Sequence, residues 1–152
     1  MSELMKTILI IDDNPADRET FRRYLRQDPE NEYRFIEADC GEQALAAYLN
    51  QRPDGALLSC QSKRWDALEL LGELLAATGE AALPVVILAD ELDAAVAVQA
   101  VKGGAQDYLV KKQATAETLC RAVRYAMDRV AMRREIEVQR LQLESHITAL
   151  ER

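Results

Sequence analysis

Short apolar runs alternate five times with stretches of helical periodicity along this chain. The strand candidates are Thr7 to Ile11, Arg34 to Glu37, Ala56 to Ser59, Val85 to Leu88 and Asp107 to Val110. Four are mostly apolar, as parallel strands covered on both faces tend to be; the second is shorter and more polar, as befits an edge. Helix start signals lie between them. Asn14-Pro15 sets a capping side chain before a proline at the first helical position. Asp39 with Glu42, and Asp66 with Glu69, have capping-box spacing, which gives those acids a local structural role. Gly103-Gly104 ends the fourth helix, where glycine takes up a left-handed conformation at little cost. This alternation predicts an α/β fold, a doubly wound parallel sheet of five strands with helices on both faces and right-handed crossovers.

Beyond the fifth strand the helical pattern does not stop. From Thr115 to Arg152 it meets neither proline nor glycine, and a continuous helix there would extend roughly 55 Å. Leu119, Val123, Met127 and Val130 suit a face packed on the sheet. Ile136, Leu143, Ile147 and Leu150 mark a second apolar stripe at near-heptad spacing, interrupted by Arg140 at one core-like position. The stripes fall out of register between Val130 and Ile136, as a stutter or a change of packing partner would produce. We therefore expect a domain at residues 1–127 and a coiled-coil extension at 128–152 that pairs two copies, against the alternatives of a free charged helix or a frayed end. The fourth helix, Ala94 to Val101, is nearly apolar all round, which suggests cover by a partner or a second copy, or else a weakly polar exposed face of Ala94, Ala97 and Gln99.

Composition narrows the partners. The 152 residues are 49% hydrophobic, enough for one core, and the net charge of −7 disfavours nucleic acid and anionic membranes. No segment reaches the roughly 20 apolar residues of a membrane span, and Met1 to Lys6 lacks the regions of a signal peptide, so a cytoplasmic protein is expected. Cys40, Cys60 and Cys120 are odd in number and widely spaced, consistent with reduced cysteines acting as small apolar residues.

Ligands of such sheets gather at the carboxyl ends of the strands. Asp12 and Asp13 end the first strand, Ser59 the third, Ala89 the fourth and Lys111 follows the fifth, so all can line one crevice. Two adjacent carboxylates repel, and a lysine or a hard divalent cation relieves that. The same trio is also readable as a buried charge cluster with no ligand. Asp54 precedes the third strand and lies roughly 16 Å from that edge, too far to serve there.

The segments ILIIDDNPADRETFRRYL, DCGEQAL, PDGALLSCQSKRWDALELL, LPVVILAD and GAQDYLVKK resemble, in order, the receiver domains of two-component response regulators over about residues 5 to 127. The resemblance implies a flavodoxin-like strand order of 2-1-3-4-5. It also implies that Asp12 and Asp13 are the magnesium-binding acid pair, Lys111 the phosphate-pairing lysine and Tyr108 the aromatic that changes rotamer. Two positions depart from the family pattern. Ser59 stands where an aspartate accepts phosphate from a histidine kinase, and Ala89 where a threonine or serine binds the phosphoryl group. A serine hydroxyl is protonated at neutral pH, needs a base and would yield an inert ester; alanine donates no hydrogen bond. Loss of the acceptor also removes an anionic ligand, so no cofactor is required and magnesium binding to Asp12 and Asp13 is expected to be weak.

Further departures lie nearby. Lys112 replaces a proline that commonly follows a cis bond, and a trans bond with a shifted loop is expected. Lys63, Arg64 and Trp65 replace an acidic turn; a cation from Lys63, Arg64 or Lys111 beside the acid pair, in place of metal, is one expectation, and solvated side chains the other. Trp65 is expected to cover the crevice, to meet a partner or, as the more ordinary explanation, to be a partly buried loop anchor. His146, the only histidine, lacks the acid and proline that follow a kinase phosphoacceptor.

The resulting expectation is a degenerate receiver without enzymatic activity, a dimerising regulatory module independent of phosphorylation. The competing reading is a receiver still phosphorylated with magnesium on Ser59 or another residue; hydrolysis by the acid pair and Ser59 ranks last, without oxyanion machinery or a histidine base. A helix running into a coil resembles receivers placed before sensory, histidine-kinase or cyclic-dinucleotide domains. The end at Glu151-Arg152 leads us to expect a piece of a longer protein carrying such an output domain.

Overall fold

Residues 5–60, 64–79 and 82–151 are described by a computed structural model. In chain order the elements are β1 (Met5–Ile11), α1 (Pro15–Leu25), β2 (Glu32–Ala38), α2 (Gly41–Gln51), β3 (Gly55–Ser59), α3 (Ala67–Thr78), β4 (Val85–Ala89), α4 (Ala94–Lys102), β5 (Asp107–Val110) and α5 (Ala116–Leu150). The strands are all parallel, in the order β2-β1-β3-β4-β5. Successive side chains of a strand point to opposite faces, so the apolar runs fill two cores at once. Leu9, Ile11, Leu58 and Ile87 pack against Tyr48 of α2, Leu70, Leu71 and Leu74 of α3 and Ala100 of α4. Ile8, Ile10, Leu57, Val86 and Leu88 pack against Phe21 and Leu25 of α1 and against Leu119, Val123 and Ala126 of α5.

The register aligns the carboxyl ends of the strands. Ile11 lies beside Leu58, Ser59 beside Leu88, and Ala89 beside Val110, so the residues that follow β1 and β5 and those that end β3 and β4 share one edge. Asp54 sits at the other edge, where its carboxylate accepts from the Thr7 amide at 2.7 Å.

Helix starts follow the polar residues before them, with one correction. Asn14 caps α1 by accepting from the Ala16 amide, with Pro15 at the first position; Asp66 caps α3 by accepting from Leu68 and Glu69. Asp93 caps α4, accepting from the Val96 amide at 3.2 Å. Asp39, expected as a cap, is not one. The chain is still extended at Cys40, which takes the cap position of α2 without a side-chain bond, while the Gln43 side chain accepts from the Asp39 amide and the Asp39 carboxylate faces Arg64 at 3.7 Å. At the end of α4 the left-handed residue is Gly104, with φ of 109°; Gly103 remains right-handed.

Helix α5 begins with a reciprocal cap between Thr115 and Thr118 and continues for 35 residues, a length of about 52 Å. Its buried residues run from Leu119 to Val130, and every described residue from 131 onward is exposed. A polar cluster fixes the packed half against the α1–β2 connection. There the buried Asp28 accepts from the Tyr33 hydroxyl at 2.9 Å, and Arg124 reaches Asp28 at 3.5 Å and Glu30 at 2.8 Å. Arg134 donates to the carbonyl of Ala82, just before β4.

Two glycines test the packing in opposite directions. A methyl on Gly104 would lie 2.5 Å from the Leu75 side chain at a positive φ, whereas one on Gly72, within α3, would meet nothing within 4 Å. In urea unfolding, Gly104→Ala is expected to cost roughly 1–3 kcal/mol and Gly72→Ala to gain about 0.5–1 kcal/mol. Equal midpoints for the two variants would contradict this packing.

Candidate functional site

The strand-end crevice is organised by Lys111, which leaves β5 where its amide still bonds to the Ala89 carbonyl at 2.7 Å. That anchor aims the side chain across the edge of the sheet. Its ammonium donates to Asp12 Oδ2 at 2.9 Å, to Asp17 Oδ2 at 2.9 Å and to Ser59 Oγ at 3.1 Å. Asp90 stands 3.7 Å away, and the ring centroid of Phe21 lies 5.9 Å below the charge. One cation thus joins the ends of β1, β3 and β5 to the first turn of α1. Of the cations expected beside the acid pair, Lys111 is the one that occupies this place. Arg64 turns away to Asp39, donating to its carbonyl at 3.3 Å, and Lys63 lies outside the described residues.

The other residues of the crevice hold this arrangement. Asp12 is 1% exposed; its Oδ1 accepts from the Asn14 amide at 2.9 Å, and its backbone carbonyl accepts from Arg18 at 2.7 Å. Arg18 and Arg22 both reach Glu37 on β2, which clamps α1 over the end of β1. Asp13 is the half-buried neighbour of Asp12. Ser59 is 4% exposed, and its carbonyl accepts from the Trp65 indole at 3.0 Å, so Trp65 is the partly buried loop anchor that the sequence suggests. Ala89 is fully buried and offers no donor. Tyr108 is half-buried and its hydroxyl donates to the Glu91 carbonyl at 3.2 Å; burial raises its pKa. The bond between Lys111 and Lys112 is trans, since no described peptide is cis.

A magnesium ion needs several oxygen ligands, usually including water and one or two carboxylates. Both oxygens of Asp12 are already taken by N–H donors, and the third corner of the site is a neutral hydroxyl facing an ammonium. Among the described residues no cluster of three or more carboxylates, histidines or cysteines is placed to hold a metal. Asp12 and Asp13 are the weak magnesium ligands expected from the sequence, and Asp12 already has an N–H donor on each oxygen in this arrangement. The positive charge at its centre belongs to Lys111.

Asp17 and Asp90 were not singled out by the sequence reading. Asp17 carries a recoverable signal: it is the third residue of a helix that starts immediately after the acid pair, and helical side chains lean back toward the N-terminus, over the strand end. Asp90 directly follows Ala89, and strand-end position was the only hint.

Comparison with known proteins gives a consistent result. The family model for the response regulator receiver domain matches residues 8–124. The response regulator MprA from Mycobacterium sp. (strain KMS) is 37% identical over 114 residues, 75% of this chain and 47% of that protein. The chain thus spans about half the length of the curated relatives it matches. NtrX from Brucella abortus superposes with a TM-score of 0.76 at 28% identity, covering 89% of this chain and 29% of NtrX. A receiver domain protein from Clostridium thermocellum shares the fold at 24% identity and a TM-score of 0.73, over 84% of this chain and 98% of its own.

The Lys111 cluster should be measurable as stability. Burial pulls the lysine pKa down, but the hydrogen bonds and charges of Asp12 and Asp17 outweigh it, and the net shift is upward from 10.5. A raised folded pKa means that the contribution is complete below the unfolded value and fades as pH climbs through the folded one. Burial and Asp28 raise Tyr33 in the same sense. Lys111→Met is expected to cost roughly 3 kcal/mol at pH 7, because it strands the buried Asp12 carboxylate. Urea titrations carried above about pH 10.5 should then show a smaller alkaline loss in the variant than in the parent, with the parts that belong to Tyr33, Tyr108, Cys60 and Cys120 remaining. An unchanged midpoint at neutral pH would refute the central role of Lys111.

Proposed function

The chain belongs to the response regulator receiver domain family, and from that premise we propose that it is a degenerate receiver, a regulatory module that works without carrying phosphate and pairs two copies through α5. Receiver domains are signalling modules of two-component systems, not enzymes. The observation that carries the reading is Ser59: the end of β3 presents a buried hydroxyl bonded to Lys111 in place of a carboxylate.

The chemistry of that position supports it. An aspartate there would be an ionised nucleophile; Ser59 must lose a proton first. Asp12, which shares Lys111 with it, has both oxygens engaged, and carboxylates are weak bases for an alcohol. Ala89 leaves no hydroxyl at the end of β4 to bind a phosphoryl group. Lys111, the group that would pair with an incoming phosphate, is already shared among Asp12, Asp17 and Ser59.

With no covalent mark to carry, signal passage rests on contacts, and α5 supplies the surface. Ile136, Leu143 and Leu150 are at least 60% exposed and Ile147 is 46% exposed, a long apolar stripe that a second copy would cover. A ligand or partner shifts such a module only by binding its arrangements with different affinity. Its place is the cytoplasm, and its nearest partner is an output domain of the same protein; no described helix is long and apolar enough to cross a membrane.

Incubation with acetyl phosphate and magnesium should leave the intact mass unchanged; an adduct of one phosphate, lost in Ser59→Ala, would overturn the reading. Light scattering should give the mass of a dimer for the full chain. Ile136→Glu with Leu143→Glu should reduce it to that of a monomer without altering the thermal midpoint of the domain, since both side chains lie outside its core.

A further inference from the structure

The exposed stripe of α5 starts earlier than Ile136. Tyr125 is 59% exposed and Met132 64%, although Ala122, Val123, Ala126 and Val130 around them are buried against the domain. At 100° per residue, Tyr125, Met132, Ile136, Leu143 and Leu150 share one side of the helix, turned about 120° from the buried side. Two stripes on different faces overlap along the packed half of α5. Val138 and Leu141 fall on the far side and take no part.

Including Tyr125 and Met132 sets the heptad. The a positions become Arg129, Ile136, Leu143 and Leu150, and the d positions Tyr125, Met132, Gln139 and His146. Arg129 lies over the Tyr125 ring, 5.4 Å from its centroid. Arg140 moves out of the core-like position that the shorter stripe gave it and becomes a flanking residue, bound in the single chain to Glu137 and Glu144. The alternative register, with Arg133 and Arg140 at a, would bury a column of arginines.

The flanking positions of this register are sorted by charge. Asp128, Glu135 and Gln142 occupy g; Arg133, Arg140 and Ile147 occupy e. In a parallel pair each g residue meets the e residue five places later on the other helix. That sets Asp128 against Arg133 of the second copy and Glu135 against Arg140 of the second copy, each twice by symmetry. In an antiparallel pair g meets g and e meets e, acid against acid and arginine against arginine. We propose that two copies of this chain pair through α5 in parallel and in register, with Asp128–Arg133 and Glu135–Arg140 bridges selecting that orientation, so that both receiver domains sit at the same end of the coil. This deepens the dimer reading given above and rests on it.

Two measurements on the full chain test it. Glu135→Arg should weaken the dimer about tenfold in sedimentation equilibrium, and adding Arg140→Glu should restore it. Cysteines at Met132→Cys and at His146→Cys, in separate chains, should each form a disulfide between like copies under mild oxidation, beyond the background from the parent cysteines. Failure of both variants to cross-link while the mass stays that of a dimer would mean antiparallel helices, overturning the orientation and leaving the dimer intact. A monomeric mass for the parent chain would remove both.

Discussion

A single ammonium holds the working edge of this molecule together. Lys111 reaches across the carboxyl ends of the strands and is shared by Asp12, Asp17 and Ser59, with Asp90 and the face of Phe21 close by. Like charges confined at one edge of a low-dielectric sheet would repel, and the lysine relieves that repulsion from within. The serine at the end of β3 belongs to the same balance. A carboxylate there would add one more negative charge and compete for the lysine, whereas the hydroxyl accepts a hydrogen bond and leaves the ammonium to the acids of β1 and α1.

Much of this was readable before any coordinates. Parallel strands buried on both faces leave continuous apolar runs, which is why β1, β3 and β4 stood out, and the caps at Asn14 and Asp66 follow from local chemistry. The sequence also placed Asp12, Ser59, Ala89 and Lys111 at one edge, because strand ends in a doubly wound sheet converge whatever the loops do. What it did not supply was the choice among partners. Asp17 shares the lysine because the first turn of α1 leans back over β1, a consequence of helix direction and of the Arg18 and Arg22 clamp on Glu37. Asp39 failed as a cap for a related reason: its spacing to Glu42 fits a capping box, but the extended backbone persists through Cys40 and the carboxylate finds Arg64.

The last helix shows how two packing demands coexist on one element. Its body-facing side is set by the sheet, its solvent-facing stripe by something beyond the domain, and the two overlap from Tyr125 to Val130. Read linearly, that overlap looks like a break in register between Val130 and Ile136. Read around the helix, it is two continuous faces, and Arg140 ceases to be an interruption.

Only the short turn that ends at Thr115 separates Lys111 from the start of α5, so the strand-end cluster and the root of the long helix are close along the chain. Beyond Arg134, whose guanidinium still holds the Ala82 carbonyl, about 24 Å of that helix stands clear of the domain. Leverage follows: a tilt of about 5° at the base displaces the tip by roughly 2 Å, a large movement for so small a disturbance at the root. A rearrangement among a few oxygen atoms at one pole would thus be magnified into motion at the other, by geometry alone.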